Sequence, residues 1–405
     1  MSRSRVLRAP ILSSAMLGAS LVLSFPSNAQ DASLTESTAI GRALSREGIA
    51  DRDEAEQRAA RAEADVIGPL ENPSVELSHE RVNGENESEL VIVQPIDFSG
   101  QRSALRAAAR AEAAAVESDV VRRRQQLIAE TRPAYVRCAG GAATMRIRQD
   151  FVVELSEALR VSAARAKAGD TAVYDVRRVR VAQSAAEAEL AQARGERAAA
   201  CITLAGLTGA VDPQVTPAAI TALSVGPITA ASRADLIARE QRVMAARQTV
   251  RAAEKGRLPQ LAVGAGVKRA DDGTSAAYGP VVSLGVTLPI WNGGGAAVRR
   301  ERARLAASRA ELSIARRQVE AEQQAAAARA SAARDAAVAA ADARDDASRL
   351  GTTAKTAYQA GEIGVVELID AYEAARDAEL SVVALALSAA EAAVDYDLAT
   401  GRTYP

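Results

Sequence analysis

The stretch "AKAGDTAVYDVRR", Ala166 to Arg178, has an echo far along the chain. The later stretch reads "YQAGEIGVVELIDA", Tyr358 to Ala371, and Gly169 and Gly361 lie 192 residues apart. Long alanine-rich segments, which favour helices, flank both stretches. Two similar small turns between long helices indicate an internally duplicated chain.

The duplication extends to whole structural repeats. The first repeat, 33–209, is predicted as a helix over 33–66 that Thr35 can cap, a strand hairpin, a long helix, a tip turn at about 168–173 and a helix. The second repeat, 232–402, has the same order with its tip turn at about 360–365. The linker 210–231 is rich in proline and small residues. The strands are predicted at about 74–82, 88–97, 259–269 and 278–290.

Composition and the N-terminal segment set the class of protein. Aromatic residues make up only 3% of the chain, which favours long helices over a compact core with large side chains. The formal net charge of −1 gives no reason to expect nucleic-acid binding. Residues 1–29 are predicted as a secretory signal peptide, because three arginines precede a short apolar run and a small-residue cleavage site. A membrane anchor is the alternative, although the run is short for one.

The predicted strands alternate between apolar and polar residues. Val282, Leu284 and Val286 point to one side, whereas Ser283 and Gly285 point to the other. This pattern is typical of a transmembrane β-barrel, and a half-buried soluble sheet shares it. The export signal and the lack of a large aromatic core favour the barrel. Aromatic residues near strand ends fit an interfacial girdle or simple packing, namely Phe98, Tyr278 and Trp291.

Four strands cannot close a barrel, because small single-chain barrels start at eight strands. Exposed strand edges are not tolerated in lipid, so the chain must form an oligomer in which each copy gives four strands. The predicted helix at 101–167 would extend about 100 Å at ~1.5 Å per residue. Such lengths suit a tube of helices. A helical tether protein is the alternative, but the chain lacks the leucine-rich heptads of a coiled coil.

The ordered motifs resemble those of the TolC-like outer-membrane efflux channel family over about residues 33–402. The resemblance rests on "ENPSVEL", "VQPIDFSGQR", "LPQLAVGAG", "LPIWNGGGA" and the two turns. The segments "QPIDFSGQR" and "LPIWNGGGAAVRRERA" look most like the heavy-metal, cobalt–zinc–cadmium branch. The chain departs from lipid-anchored members because no cysteine lies near the cleavage site.

The resemblance implies a mainly α fold with a small β part: a homotrimer with a 12-stranded outer-membrane β-barrel on a long periplasmic α-barrel. It implies a passive export duct for heavy-metal cations or small toxic compounds. A periplasmic adaptor would join the duct to an inner-membrane pump of the resistance-nodulation-division type. Type I secretion and a non-pore periplasmic tether are the alternatives. The expected docking residues are Gly169, Asp170, Thr171, Ala172, Val173, Gly361, Glu362, Ile363, Gly364 and Val365.

Acidic residues follow the second turn. Glu367, Asp370 and Glu373 are spaced three apart and share a helical face. They form either an acidic ring that constricts the periplasmic entrance or a solvated helix face. The family's tip motif singles out Asp370, and Asp175 is the matching candidate at the other turn.

No catalytic set, cofactor motif or metal site is expected. The only histidine, His79, cannot by itself supply a catalytic triad or a zinc site, and it lies in a predicted strand.

The two cysteines, Cys138 and Cys201, form a candidate disulfide in an exported protein. Their midpoint falls at the first turn, between Gly169 and Asp170, so antiparallel helices would place them at the same height. Two free, buried cysteines that match in height by chance are the alternative.

Overall fold

The computed structural model describes residues 34–82, 84–211, 213, 215 and 233–402. The predicted signal peptide at 1–29 and most of the linker at 210–231 lie outside this part of the chain. The described part is mainly helical with one four-stranded sheet, which confirms the predicted fold class of the chain. In chain order the elements are α1 (Glu36–Leu44), α2 (Ile49–Val66), β1 (Ser74–Val82), β2 (Glu85–Ile96), α3 (Gln101–Ala168), α4 (Val173–Thr208), α5 (Ala234–Lys255), β3 (Gln260–Asp271), β4 (Ala276–Thr287), α6 (Gly295–Ala360) and α7 (Val365–Thr400).

The two long helices, α3 and α6, set the length of the molecule. The 68 residues of α3 form one helix that continues through Pro133. At ~1.5 Å per residue, α3 is about 100 Å long. The helices α4, α5 and α7 pack on α3, and α5 and α7 also pack on α6. The helices α1 and α2 also pack on α3, so the helices form a row with α1, α2 and α4 on one outer side and α6 on the other.

The first helix is shorter than the sequence predicts. Residues 33–66 were expected to form one helix, but α1 ends at Leu44 and α2 starts at Ile49. The break falls at Gly48, whose φ of 84° lies in the left-handed region that favours glycine. Thr35 caps α1 as expected, since its side chain accepts a hydrogen bond from the backbone N–H of Thr38.

The four strands pair in sequence order, β1-β2-β3-β4, and all pairs are antiparallel. The strand β2 starts at Glu85, before the predicted residue 88, because a tight turn at Gly84 lets Val82 pair with Glu85. The other two strands likewise extend closer to the turn between them than predicted, since β3 ends at Asp271 and β4 begins at Ala276.

At its other end β4 is shorter than predicted, because it ends at Thr287 and not at residue 290. Pro289, two residues on, has no N–H to donate to a ladder.

The two faces of the sheet differ in chemistry. The pairings place one set of apolar side chains on one face, which we call the apolar face: Val75, Leu77, Leu90, Ile92, Leu261, Val263, Val267, Val282, Leu284 and Val286. Several of these side chains are strongly exposed in the single chain, with Val282 at 82%. The opposite face, which we call the acidic face, carries five carboxylates and one lysine: Glu76, Glu80, Glu85, Glu87, Glu89 and Lys268. His79 is exposed on the apolar-face side, with Nδ1 2.9 Å from Ser88 Oγ.

The helices α3 and α4 are joined by a disulfide between Cys138 and Cys201, whose Cα atoms lie 4.8 Å apart. Gly141 permits this close approach, because a Cβ there would lie 3.2 Å from the Cα of Arg197 on α4. Gly140 does the same on the other side of α3, where Leu387 of α7 occupies the space of its missing side chain. The glycine pair therefore lets α3 pack tightly between two neighbours.

We expect denatured, unreduced protein to contain no reactive thiol, and reduced protein to contain two per chain. The bridge closes a loop between two cysteines that are 63 residues apart in sequence. Chain entropy then predicts that it stabilises the fold by about 4 kcal/mol. The variant Cys201→Ser should therefore unfold at a lower temperature, and the reduced wild-type protein should match it. Two reactive thiols before reduction would contradict the pairing.

Candidate docking and constriction site

The two tip turns have the same backbone. Gly169 and Gly361 end α3 and α6 with φ values of 85° and 83°. The N–H of Asp170 donates to the carbonyl of Arg165, and the N–H of Glu362 donates to the carbonyl of Ala357, both at 2.9 Å. Hydrogen bonds of this kind, from the N–H of residue i to the carbonyl of residue i−5, define a Schellman motif, which satisfies carbonyls in the last turn of each helix. The chain therefore ends both long helices with the same rigid turn.

The tip residues differ in exposure despite this common backbone. At the first turn Val173 is 62% exposed, and Tyr174 beside it is 65% exposed. At the second turn Val365 is only 4% exposed and lies in the hydrophobic core, so this chain offers no docking contact through it. Ile363 is half-buried against the same core. The other predicted tip residues are exposed, apart from half-buried Thr171: Gly169, Asp170, Ala172, Gly361, Glu362 and Gly364.

A hydrophobic core lies directly behind the turns. It is built by α3, α4, α6 and α7, and its largest members are Phe151, Leu155, Val179, Tyr358, Leu368, Ile369 and Tyr372. Burial raises the pKa of Tyr372 to about 12, with Glu154 and Glu157 adding to the effect. Tyr372 is therefore neutral over the physiological pH range. This core holds the two helical hairpins of one chain side by side.

Arg165 connects the two turns. Its Nη2 donates to the carbonyls of Tyr358 and Gln359, at 2.8 and 3.0 Å, and so caps the end of α6. Its guanidinium also lies 4.8 Å from the centroid of the Tyr358 ring. A cation near the C-terminal carbonyls of a helix is favourable, because the helix dipole is negative there. The spacing of the two turns does not predict this role, but the position of Arg165 in the last turn of α3 is a sequence signal that points to it.

The acidic candidates are not equivalent. Glu367 and Asp370 are both exposed on α7, whereas Glu373 is half-buried. Asp175 is half-buried as well, and it accepts a hydrogen bond of 2.6 Å from Thr171 Oγ1. Asp175 therefore holds the first turn of α4 in place. Glu367 and Asp370 therefore form an exposed acidic pair on α7. Asp175 is not equivalent to them, because its carboxylate is engaged within its own turn.

Three exposed aromatic side chains lie near the ends of the strands. Phe98 follows β2 and Trp291 follows β4, while Tyr278 pairs with Arg269 near the opposite end of the sheet. Aromatic residues at both ends of a strand region are typical of the two membrane interfaces. Their interfacial role stays a prediction.

The described residues offer little other site chemistry. They contain no group of three or more histidine, cysteine, aspartate or glutamate side chains placed to hold a metal ion. Within the same residues, none of the helices is sufficiently long and apolar to cross a membrane.

The arrangement has counterparts among known proteins. The chain matches the outer membrane efflux protein family over residues 43–210 and 227–402. It belongs to that family. This outer membrane efflux protein is thus an outer-membrane channel protein and not an enzyme, and its long helices extend into the periplasm. The resemblance to TolC-like channels is confirmed at the level of the family.

Solved structures share the fold at low sequence identity. CusC matches with a TM-score of 0.77 and 18% identity, over 91% of this chain and 92% of CusC. VceC from Vibrio cholerae matches with a TM-score of 0.74 and 20% identity, over 91% and 96%. The open state of MtrE from Neisseria gonorrhoeae matches with a TM-score of 0.76 and 18% identity, over 91% and 89%. No curated protein matches the chain significantly.

Replacing Arg165 with alanine should loosen the connection between the turns, because it removes both bonds to α6 and the contact with Tyr358. Spin labels at Asp170→Cys and Glu362→Cys would report this as a broader distance distribution in pulsed electron paramagnetic resonance. Arg165→Lys keeps the charge and loses the planar fork, so we expect an intermediate width. Equal widths in all three proteins would show that Arg165 does not hold the turns.

Proposed function

We propose that three copies of this chain form one closed export channel. In the single chain β1 and β4 are the outer strands, and α4 and α6 lie on the two outer sides of the row of helices. A strand edge in lipid leaves backbone groups without partners, so β4 of one copy has to pair with β1 of the next. Such head-to-tail contacts close into a ring. Three copies, the number implied by the family resemblance, give twelve strands.

The lining of the proposed barrel supports cations as cargo. With the apolar face toward lipid, the acidic face lines the lumen with five glutamates and one lysine per chain. The Lys268 Nζ lies 2.6 Å from Glu87 Oε2, which leaves an excess of negative charge. Rings of carboxylates favour cations in channels. Together with the "QPIDFSGQR" and "LPIWNGGGA" segments, this favours the heavy-metal branch of the family.

The matched tip turns carry the proposal of a tripartite pump. Two rigid turns of the same geometry end the helices at the far end from the sheet, and a trimer would contain six such turns. Exposed residues beside them, including Tyr174, offer contact area to a partner. We assign this end to a periplasmic adaptor, which joins the duct to an inner-membrane pump of the resistance-nodulation-division type.

Gly361→Val tests the docking role. Valine strongly disfavours a φ of 83°, so the second turn should lose its shape. We expect cells carrying this variant to become as sensitive to the pump's cargo as cells without the gene. Growth with Co²⁺, Zn²⁺ and Cd²⁺ and with organic toxins measures the loss and identifies the cargo class.

Gly195→Val is the matched control, because Gly195 lies within α4 with open space around the position of a Cβ. It should keep full resistance. Both variants should run as heat-resistant oligomers in SDS, which separates docking from assembly. Full resistance in Gly361→Val would remove the turn from the docking surface.

We further propose that Asp370, with Glu367 one helical turn before it, lines a narrow periplasmic entrance. Three copies would place like charges around the axis. In planar bilayers, Asp370→Ala should raise the single-channel conductance and weaken the block by multivalent cations, because it relaxes an electrostatic constriction. Asp346→Ala, at an exposed site higher on α6, should change neither. Unchanged conductance and block in Asp370→Ala would assign Asp370 to a solvated helix face.

A further inference from the structure

The two tips share a backbone but carry opposite charge. The basic tip is the window Arg165–Arg180, and the acidic tip is the equivalent window 192 residues later, 357–372. The basic tip has five basic and two acidic residues, a net charge of +3: Arg165, Lys167, Arg177, Arg178 and Arg180 against Asp170 and Asp175. The acidic tip has three acidic residues and no basic ones, a net charge of −3: Glu362, Glu367 and Asp370.

These charges are not neutralised within the chain. Arg177, Arg178 and Arg180 are exposed, and so are the three carboxylates of the acidic tip. In the described part of the chain, no ion pair joins the two sets. The end of the chain therefore presents two separate regions of electrostatic potential, a positive one at the basic tip and a negative one at the acidic tip.

The three arginines do not all face one neighbour. Successive residues of an α-helix are turned by about 100°, so Arg178 points away from Arg177, whereas Arg177 and Arg180, three residues apart, share one face of α4. Val179 packs into the core from another side of the helix. In a ring of copies, an adjacent helix covers either the face of Arg177 and Arg180 or the side of Arg178, but not both. At least one arginine therefore stays available to a different partner, beside exposed Val173 and Tyr174.

We propose that the partner docked on the tips is bipolar, with acidic side chains where it meets the basic tip and basic side chains where it meets the acidic tip. This inference rests on the proposed docking of a periplasmic adaptor and specifies its chemistry. Tyrosine and arginine are enriched at interface hot spots. We therefore expect the partner to have an apolar pocket for the exposed Tyr174 beside its acidic residues. Charge complementarity of this kind fixes the partner's register.

Charge reversal in living cells tests the proposal. The double variant Arg177→Glu, Arg178→Glu reverses part of the basic tip, and Glu362→Lys reverses part of the acidic tip without touching the constriction pair. A like-charge contact weakens an interface by roughly tenfold or more, so each variant should lower resistance. Arg309→Glu and Glu320→Lys make the same changes at exposed sites far up α6 and should be neutral. Wild-type resistance in both tip variants would overturn the proposal.

Cross-linking reads the chemistry of the partner directly. A photoreactive amino acid at Tyr174 and another at Gln359 would each be activated in intact cells, and the captured peptides sequenced by mass spectrometry. Acidic residues around the site captured at Tyr174, with basic residues around the site captured at Gln359, support the proposal. Peptides of the same charge sign at both positions, or capture of this chain alone, overturn it.

The two hypotheses can fail separately. If Gly361→Val abolishes resistance while both charge reversals are neutral, the turns still dock a partner, but charge does not select it. If Gly361→Val keeps resistance, the docking role itself is lost. The heat-resistant oligomer in SDS again shows that each variant assembles.

Discussion

The antiparallel pairing of β2 with β3 is the contact on which the rest of the structure depends. It joins strands from the two repeats, from Asn86 opposite Asp271 to Ile96 opposite Leu261. Because both hairpins then lie in one sheet, β2 and β4 run in the same direction. The helices α3 and α6, which follow them, therefore leave the sheet at the same end of the strands and run in the same direction. Their similar lengths of 68 and 66 residues bring both turns to the same end of the molecule. The common position of the two turns follows from this register.

The helical part is stabilised by close packing of small side chains and by a few strong links. Alanine brings helices close together but removes little apolar surface per residue, so the core is thin. Stronger links are placed at intervals along α3. The Cys138–Cys201 bridge ties it to α4. Higher up, the buried Arg132 pairs with Glu36 of α1 and Asp397 of α7, at 2.6 and 3.0 Å. Because Arg132 is only 2% exposed, removing either carboxylate would leave a buried guanidinium with fewer partners and destabilise the fold.

Duplication supplied the geometry of the tips, and divergence supplied their chemistry. Arg177 and Ile369 occupy equivalent positions, yet one is exposed and the other is buried. The difference follows from position in the row of helices, since α7 lies between α3 and α6 while α4 is an outer helix. An outer helix packs against other helices of its chain on fewer sides than an inner one, so it can place charged side chains at positions that an inner helix buries.

The sequence by itself determined the duplication, the long helices, the alternating strands and the equal height of the two cysteines. Each of these follows from spacing along one element or around one turn, which local geometry fixes. The tertiary structure alone decided which residues of the two equivalent turns are available. Val173 and Val365 have the same place in the repeat, but only Val173 is exposed. Burial depends on neighbouring helices that are distant in sequence, and a pattern within one repeat carries no information about them.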